Sequence, residues 1–184
     1  MIALPSQLPL LRVGRYDVPA YDADWVEEGI RDAAREAGHD EWFFAADITR
    51  SVMIYLRSKF PGTVITLEDL NRRLQQILTK VGFKDIGTHL CLNPPRMQVS
   101  LRDLADEAEG YELLFFRLLE ERLGEIINLG ARRVTLSHSR DSVKKLRAAH
   151  HWSGKCEELE QEILGFLRKR LLECPECSVE VRAN

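Results

Sequence analysis

Hydrophobic residues recur at intervals of three and four positions through most of the first half of the chain. That periodicity predicts four helices, which begin at Asp22, Asp40, Thr66 and Lys84. The first three of these residues have side chains that can cap a helix N-terminus, and Gly38 supplies a stop signal after the first helix. Ahead of the helices, segment 10–18 mixes apolar and basic residues around Gly14 and predicts a short extended arm or hairpin.

The second half alternates between strand-like and helix-like patterns after the strongest break in the chain, Asn93-Pro94-Pro95. We place the domain boundary there, with a helical domain over 1–92 and a second domain over 96–184. The predicted elements of the second domain are strand 97–101, helix 101–128, strand 134–138, helix 139–152, helix 156–172 and strand 179–181. The predicted fold class is therefore α+β and predominantly helical, a four-helix unit followed by a small α/β unit with short strands.

The long helix predicted over 101–128 carries the densest group of large apolar residues in this second domain. Its stretch from Leu113 to Leu119 is apolar on more than one side, which is typical of a helix in the centre of a core. We therefore expect Phe115 and Phe116 both to be buried, with Gly110 as the weak point of the helix.

Composition excludes several classes of protein. Hydrophobic residues make up 45% of the chain and charged residues 30%, which is ordinary for a globular domain and unlike a disordered chain. No run of about 18 apolar residues is present, so the sequence predicts no membrane span. The net charge of −3 argues against a dedicated nucleic-acid binder, which usually carries a basic excess. A protein partner or a homo-oligomer stays open.

Cysteine usage bears on the compartment. The first nine residues lack the basic segment and apolar stretch of a signal peptide, so we expect a reducing cytoplasm and no disulfide framework. The four cysteines, Cys91, Cys156, Cys174 and Cys177, are then either small buried side chains or metal ligands.

Cys174-Pro175-Glu176-Cys177 is half of a zinc-knuckle pattern, because this spacing lets two thiolates reach one metal ion. Cys174 and Cys177 are accordingly the candidate metal ligands. A structural zinc site needs two more ligands, and no second Cys-x-x-Cys is present. Cys91 with His89, or Cys156 with His150 and His151, would have to complete the site across the fold. The alternative is a turn between helix and strand with small buried side chains.

A predicted strand end, where catalytic groups are common in α/β folds, carries Ser137, His138 and Ser139, with Asp141 beside them. A simpler interpretation is a helix cap by Ser139 or Asp141. The sequence contains no phosphate-binding P-loop, no dinucleotide glycine motif and no His-Glu-x-x-His, so no motif positively supports an enzyme, and we assign no catalytic residue.

The first half resembles the ATP-cone, a small regulatory domain of ribonucleotide reductases and of the zinc-containing repressor of their genes. The family has an N-terminal hairpin with a Lys-Arg-Asp-Gly motif, which Leu11-Arg12-Val13-Gly14 resembles. Tyr21-Asp22 is similar to the family's first helix opening, Ile65–Leu70 to the start of its third helix, and Val81-Gly82-Phe83 to the end of that helix. The resemblance covers roughly residues 10–90 and implies a purine nucleotide, ATP or dATP, near Arg12, Gly14 and Arg15.

Two departures from the family pattern bear on that ligand. Leu11 stands at the lysine position of the motif, and Asp24 stands where the family usually has a basic residue. Phosphates are held by cations and by free N–H groups at a helix N-terminus, so Asp22 and Asp24 at that terminus would repel a triphosphate.

We therefore expect a cytoplasmic, non-enzymatic regulatory or accessory protein whose cone-like domain binds nucleotide weakly or not at all. A protein–protein interaction module without a small-molecule ligand is the first alternative. A zinc-stabilised domain associated with nucleic acid is the second.

Overall fold

The computed structural model describes residues 8–18, 20–40 and 42–183, and the chain divides into two compact units, 1–94 and 95–184. The described residues form eight helices and two three-stranded sheets, which confirms the predicted α+β, predominantly helical fold class. Segment 1–7, on which most of the signal-peptide interpretation rests, lies outside these residues. None of the helices in the described ranges is long and apolar enough to cross a bilayer.

The described part of unit 1 consists of a three-stranded sheet and four helices, two of which lie between its second and third strands and two after its third strand. Its elements are β1 (Leu10–Val13), β2 (Tyr16–Val18), α1 (Ala23–Glu36), α2 (Ala45–Ser58), β3 (Val64–Thr66), α3 (Leu67–Lys80) and α4 (Lys84–His89). β1 is the central strand, antiparallel to β2 and parallel to β3. Leu11 and Ile65 face each other in the parallel pair and are both fully buried, so this pair anchors the core of the unit.

Capping side chains begin two of these helices as predicted. The Asp22 carboxylate accepts the backbone N–H of Trp25 at the start of α1, and the Thr66 hydroxyl accepts that of Asp69 at the start of α3. The expectation for the second helix is wrong at its N-terminus, because α2 begins at Ala45 and Asp40 does not cap it. Ahead of α2, the centre of the Trp42 ring lies 5.0 Å from that of the Phe83 ring, edge to face.

Unit 2 is a parallel sheet with paired helical connections. Its elements are β4 (Met97–Ser100), α5 (Leu101–Glu107), α6 (Glu112–Asn128), β5 (Arg133–Ser137), α7 (Ser139–Leu146), α8 (Gly154–Glu173) and β6 (Ser178–Val181). The strand order is β4-β5-β6, and both pairs are parallel. Parallel crossovers are right-handed as a rule, so with this sequential order the two connections are expected to place their helices on the same face of the sheet.

The two faces of this sheet differ in polarity. Met97 and Val99 of β4 are buried on the face that packs under the helices. On the opposite face Gln98, Thr135 and Glu180 lie in register across the three strands, and the outer two are exposed. The sheet therefore has one apolar face and one polar face.

Two helices of unit 2 are shorter than predicted. The expected helix over 101–128 is broken into α5 and α6, because Glu109 and Gly110 adopt left-handed backbone conformations with φ of 51° and 81°. Such values cost little at glycine and are unfavourable at glutamate. The helix expected to reach residue 152 ends at Leu146 as α7, and Ala148 beyond it is also left-handed, with φ of 47°.

The apolar stretch of α6 is only partly in the core. Phe115 and Leu119 are fully buried, whereas Phe116 is half-buried against Phe166 of α8, with ring centroids 5.5 Å apart. Leu113 is 88% exposed, so the expectation that the whole stretch lies at the core centre is wrong. One side of α6, containing Phe115, Leu119, Leu123 and Ile126, makes the core contact.

Phe115→Ala is expected to lower the free energy of unfolding by ~3–5 kcal/mol, because it removes a buried aromatic ring and leaves a cavity. Leu113→Ala is the matched control on the same helix and should change stability by less than about 0.5 kcal/mol, as exposed positions do. Urea unfolding of the two variants measures both values. Equal losses would contradict this orientation of α6.

Candidate functional site

The hairpin of β1 and β2 holds all three residues that the cone resemblance implicates. Val13 pairs with Tyr16, so Gly14 and Arg15 form a two-residue turn. Gly14 has φ of 57°, which a glycine adopts at low cost at the first position of such a turn. The structure therefore brings Arg12, Gly14 and Arg15 together at one end of unit 1.

Arg12 is engaged by a carboxylate of its own hairpin. Arg12 and Asp17 are directly opposite each other in the register, and the Nε of Arg12 donates to Oδ1 of Asp17 at 2.8 Å. A second contact, from Nη2 to Oδ2, measures 3.4 Å. The hydrogen bond from Arg12 lowers the pKa of Asp17, and the same bond raises the pKa of Arg12. The charge of Arg12 is thus largely balanced within the hairpin.

Arg15 lies against the neighbouring tyrosine. Its Nη2 is 3.4 Å from the hydroxyl of Tyr16, and its guanidinium carbon lies 5.4 Å from the centre of that ring. This is the geometry of a cation–π contact at an exposed site. Both cations of the hairpin therefore have contacts inside unit 1.

The N-terminus of α1 already carries negative charge. Oδ1 of Asp22 caps the helix by accepting the backbone N–H of Trp25 at 2.9 Å. Asp24 lies in the first turn. A capping carboxylate uses one of the N–H groups that would otherwise hold a phosphate.

Tyr21 and Trp25 fix the start of α1 through contacts that the sequence did not reveal. The Tyr21 hydroxyl donates to the carbonyl of Pro9 at 2.9 Å, and burial raises the pKa of Tyr21 to about 12. The indole of Trp25 donates to the carbonyl of Asn93 at 2.9 Å, and the two rings meet edge to face at 5.8 Å. The Tyr-Asp motif is the one sequence signal that pointed to this place.

A polar cleft lies in unit 2 at the carboxyl ends of β4 and β5. It has a volume of about 560 Å³, and its lining residues are Gln98, Ser100, Arg102, Asp103, Asp106, Ser137 and His138. Ion pairs join the helices beside it, Arg102 with Asp141 at 3.9 Å and Asp106 with Lys145. Two of the charged side chains that line the cleft, Arg102 and Asp106, therefore each have a partner of opposite charge.

The serines and the histidine of this region do not form a nucleophile–base arrangement. Ser139 and Ser142 are buried, and the Ser142 hydroxyl donates to the Ser139 carbonyl at 2.7 Å. His138 holds the N-cap position of α7 with a left-handed φ of 59°, so the expected cap by Ser139 or Asp141 is wrong. Within the described residues, no hydroxyl lies within hydrogen-bond distance of the His138 ring, although its backbone carbonyl accepts the N–H of Ser142.

The Cys-x-x-Cys pair is oxidised in the structure. Cys174 and Cys177 form a disulfide, whereas Cys91 is exposed and unpaired and Cys156 is buried and unpaired. The expectation of small buried side chains is wrong for this pair, because both cysteines are only half-buried and the turn places their Cα atoms 5.5 Å apart, within bridging range. Their role as metal ligands stays a prediction. Across residues 8–18, 20–40 and 42–183, no three His, Cys, Asp or Glu side chains are arranged to hold a metal ion.

No protein-family model, curated protein or solved structure matches this chain. The site must therefore be interpreted from its own geometry.

Arg12→Ala is expected to raise the pKa of Asp17 toward the ordinary aspartate value, because the Arg12 hydrogen bond is the main cause of its lowering. Carboxyl-carbon NMR shifts in a pH titration measure this pKa. A lowered pKa stabilises the folded state above the ordinary value, and that stabilisation is lost as the pH falls through the lowered pKa. Arg15→Ala is the control and should leave the Asp17 titration unchanged. If Arg12→Ala also leaves it unchanged, the hairpin pair does not form in solution.

Proposed function

We propose that this chain is a non-enzymatic regulatory or accessory protein whose unit 1 is an ATP-cone-like domain. The order of elements supports the proposal, since a hairpin is followed by a helix that opens at Tyr21-Asp22 and by further helices α2, α3 and α4. Gly14 in the hairpin turn and Arg12 on β1 occupy positions that match the family motif.

The Arg12–Asp17 pair is the observation that carries the second part of the proposal, which is that nucleotide is bound weakly or not at all. A triphosphate at the hairpin would have to displace the Asp17 carboxylate from Arg12 and approach Asp22 and Asp24. The negative charges of Asp22 and Asp24 disfavour anion binding, and breaking the Arg12–Asp17 pair costs part of what the new contact would contribute. The regulatory role would then depend mainly on protein contacts.

ATP and dATP, with and without magnesium, are expected to leave the melting temperature of the whole chain nearly unchanged at millimolar concentration. A ligand that binds only the folded state at one hundred times its Kd would add about 2.7 kcal/mol and raise the melting temperature by several degrees. A clear stabilisation of the wild type that is lost in Arg12→Ala/Arg15→Ala would contradict weak binding and indicate a nucleotide sensor.

Asp17→Asn is the informative companion variant, because it releases the Arg12 guanidinium while leaving both hairpin cations in place. If the hairpin is a nucleotide site that Asp17 restrains, this variant gains a nucleotide-dependent shift that Asp17→Asn/Arg12→Ala lacks. If neither variant responds, the hairpin is not a nucleotide site, and the cone resemblance is one of shape alone.

A protein–protein interaction module is the second candidate, and an exposed aromatic cluster on unit 1 favours it. Phe43 is 82% exposed and Phe44 is 53% exposed. The ring centroids of Trp42, Phe44 and Phe83 lie within 6.0 Å of one another. The indole nitrogen of Trp42 is buried without a hydrogen-bond partner. Exposed aromatic side chains grouped in this way are typical of surfaces that bind another protein.

Self-association is the form of this candidate that the purified chain can test. We expect the weight-average mass in sedimentation equilibrium to rise with concentration for the wild type, and to rise at least threefold less steeply for Phe43→Ser/Phe44→Ser. Leu113→Ser, which removes an equally exposed apolar side chain from unit 2, should behave as the wild type. A wild type that stays monomeric at all concentrations would contradict self-association through this cluster.

A further inference from the structure

The Cys174–Cys177 bridge spans the connection between the last helix and the last strand of unit 2. Cys174 follows α8 directly and Cys177 directly precedes β6. The backbone N–H of Cys177 donates to the carbonyl of Cys174 at 3.0 Å, so the bridge closes one tight turn.

A bridge of this kind contributes little as a structural staple. The stabilisation from a disulfide grows with the length of the loop that it closes, and this loop is four residues long. Cys91 and Cys156 are unpaired, so the bridge is not part of a larger framework in the described chain. Its effect is therefore expected to be local, on the connection from α8 to β6, rather than on the stability of the whole fold.

The bridge is open to attack from solution. Pro175 and Glu176 between the two cysteines are exposed, and both cysteines are only half-buried. Thiol–disulfide exchange requires that a thiolate reach one sulfur of the bridge, which this turn permits.

The strand that follows the bridge is paired along one edge only, with β5. β6 is an edge strand, and its apolar residues Val179 and Val181 are only half-buried. At its start, the N–H of Ser178 donates to the carbonyl of Arg132 at 2.8 Å. Beyond its end, the backbone N–H of Arg182 donates to the carbonyl of Leu136 at 2.7 Å. The carbonyl of Arg182 accepts the first N–H of α7, that of Ser139, at 3.1 Å. A change at the bridge can therefore reach the N-terminus of α7 through β6.

We propose that Cys174 and Cys177 are a reversible dithiol–disulfide couple that exchanges with low-molecular-weight thiols and disulfides, and that its redox state sets how firmly β6 is held on the sheet. In the oxidation, one cysteine thiolate attacks a disulfide such as glutathione disulfide and releases one thiol. The second cysteine then attacks the mixed disulfide and releases the other thiol. Two electrons and two protons pass from the cysteines to the two thiols, and an excess of thiol reverses the reaction.

The test places the whole chain in glutathione buffers of graded oxidised-to-reduced ratio, followed by acid quench, thiol alkylation and mass spectrometry. We expect the Cys174–Cys177 peptide to pass from fully alkylated to fully bridged across the series and to reach the same curve from either direction. Hydrogen exchange of the β6 amides should be at least tenfold faster in the reduced protein, whereas the amides of α6 should be unaffected.

Two variants keep the result interpretable. Cys174→Ser/Cys177→Ser should show the fast β6 exchange in every buffer, and Cys91→Ser, which removes the exposed unpaired thiol, should behave as the wild type. The proposal is overturned if the pair stays reduced throughout the series or stays bridged in excess dithiothreitol. It is also overturned if β6 exchange is independent of redox state, or if the reduced chain retains about one equivalent of zinc, which would make the pair metal ligands.

Discussion

Parallel strand pairing is the constraint on which both units depend. β1 pairs with β3 in parallel, and β5 pairs in parallel with both of its neighbours. A parallel pair cannot be joined by a tight turn, because the chain must first return along the length of the sheet. In unit 1 the antiparallel strand β2 already brings the chain back, and α1 and α2 lie between β2 and β3; in unit 2, α5 and α6 make one return and α7 and α8 make the other. Six of the eight described helices therefore lie in connections between parallel strands.

The local elements could be predicted from the sequence because their signals are local. Asp22, Thr66 and Ser100 mark true helix starts, since each side chain accepts an N–H from its own first turn. β3 could not be predicted in this way. Its three residues count as a strand only because β1 lies beside them, and Thr66 is both its last residue and the cap of α3. Gly110 was a visible weak point, but a single glycine does not decide whether a helix continues.

The candidate site could be predicted only in part, and the missing part is the pairing between strands. Gly14 predicted the hairpin turn, and Arg12 and Arg15 were visible as cations beside it. The effect of Asp17 could not be predicted, because it depends on the strand register, which sets Asp17 directly opposite Arg12. A shift of one residue would turn Asp17 to the other face, so the charge balance of the site is a property of the folded hairpin. The bridged state of Cys174 and Cys177 is similarly a property of the turn.

The polar face of the unit 2 sheet has a consequence for how this half of the chain can change over evolutionary time. The sequences of parallel strands are usually continuous apolar runs, because both faces of a parallel sheet are covered by helices. Here the two outer strands alternate as an antiparallel edge would, with Gln98 and Glu180 exposed and Met97 and Val99 buried, whereas Thr135 of the central strand is buried on the polar face. The exposed positions of the polar face can drift among hydrophilic residues with little loss of stability, whereas the buried positions cannot. Substitutions that accumulate in descendants of this sequence should therefore divide by odd and even position along the two outer strands, so that a comparison of such descendants would reveal the exposed face before any coordinates were known.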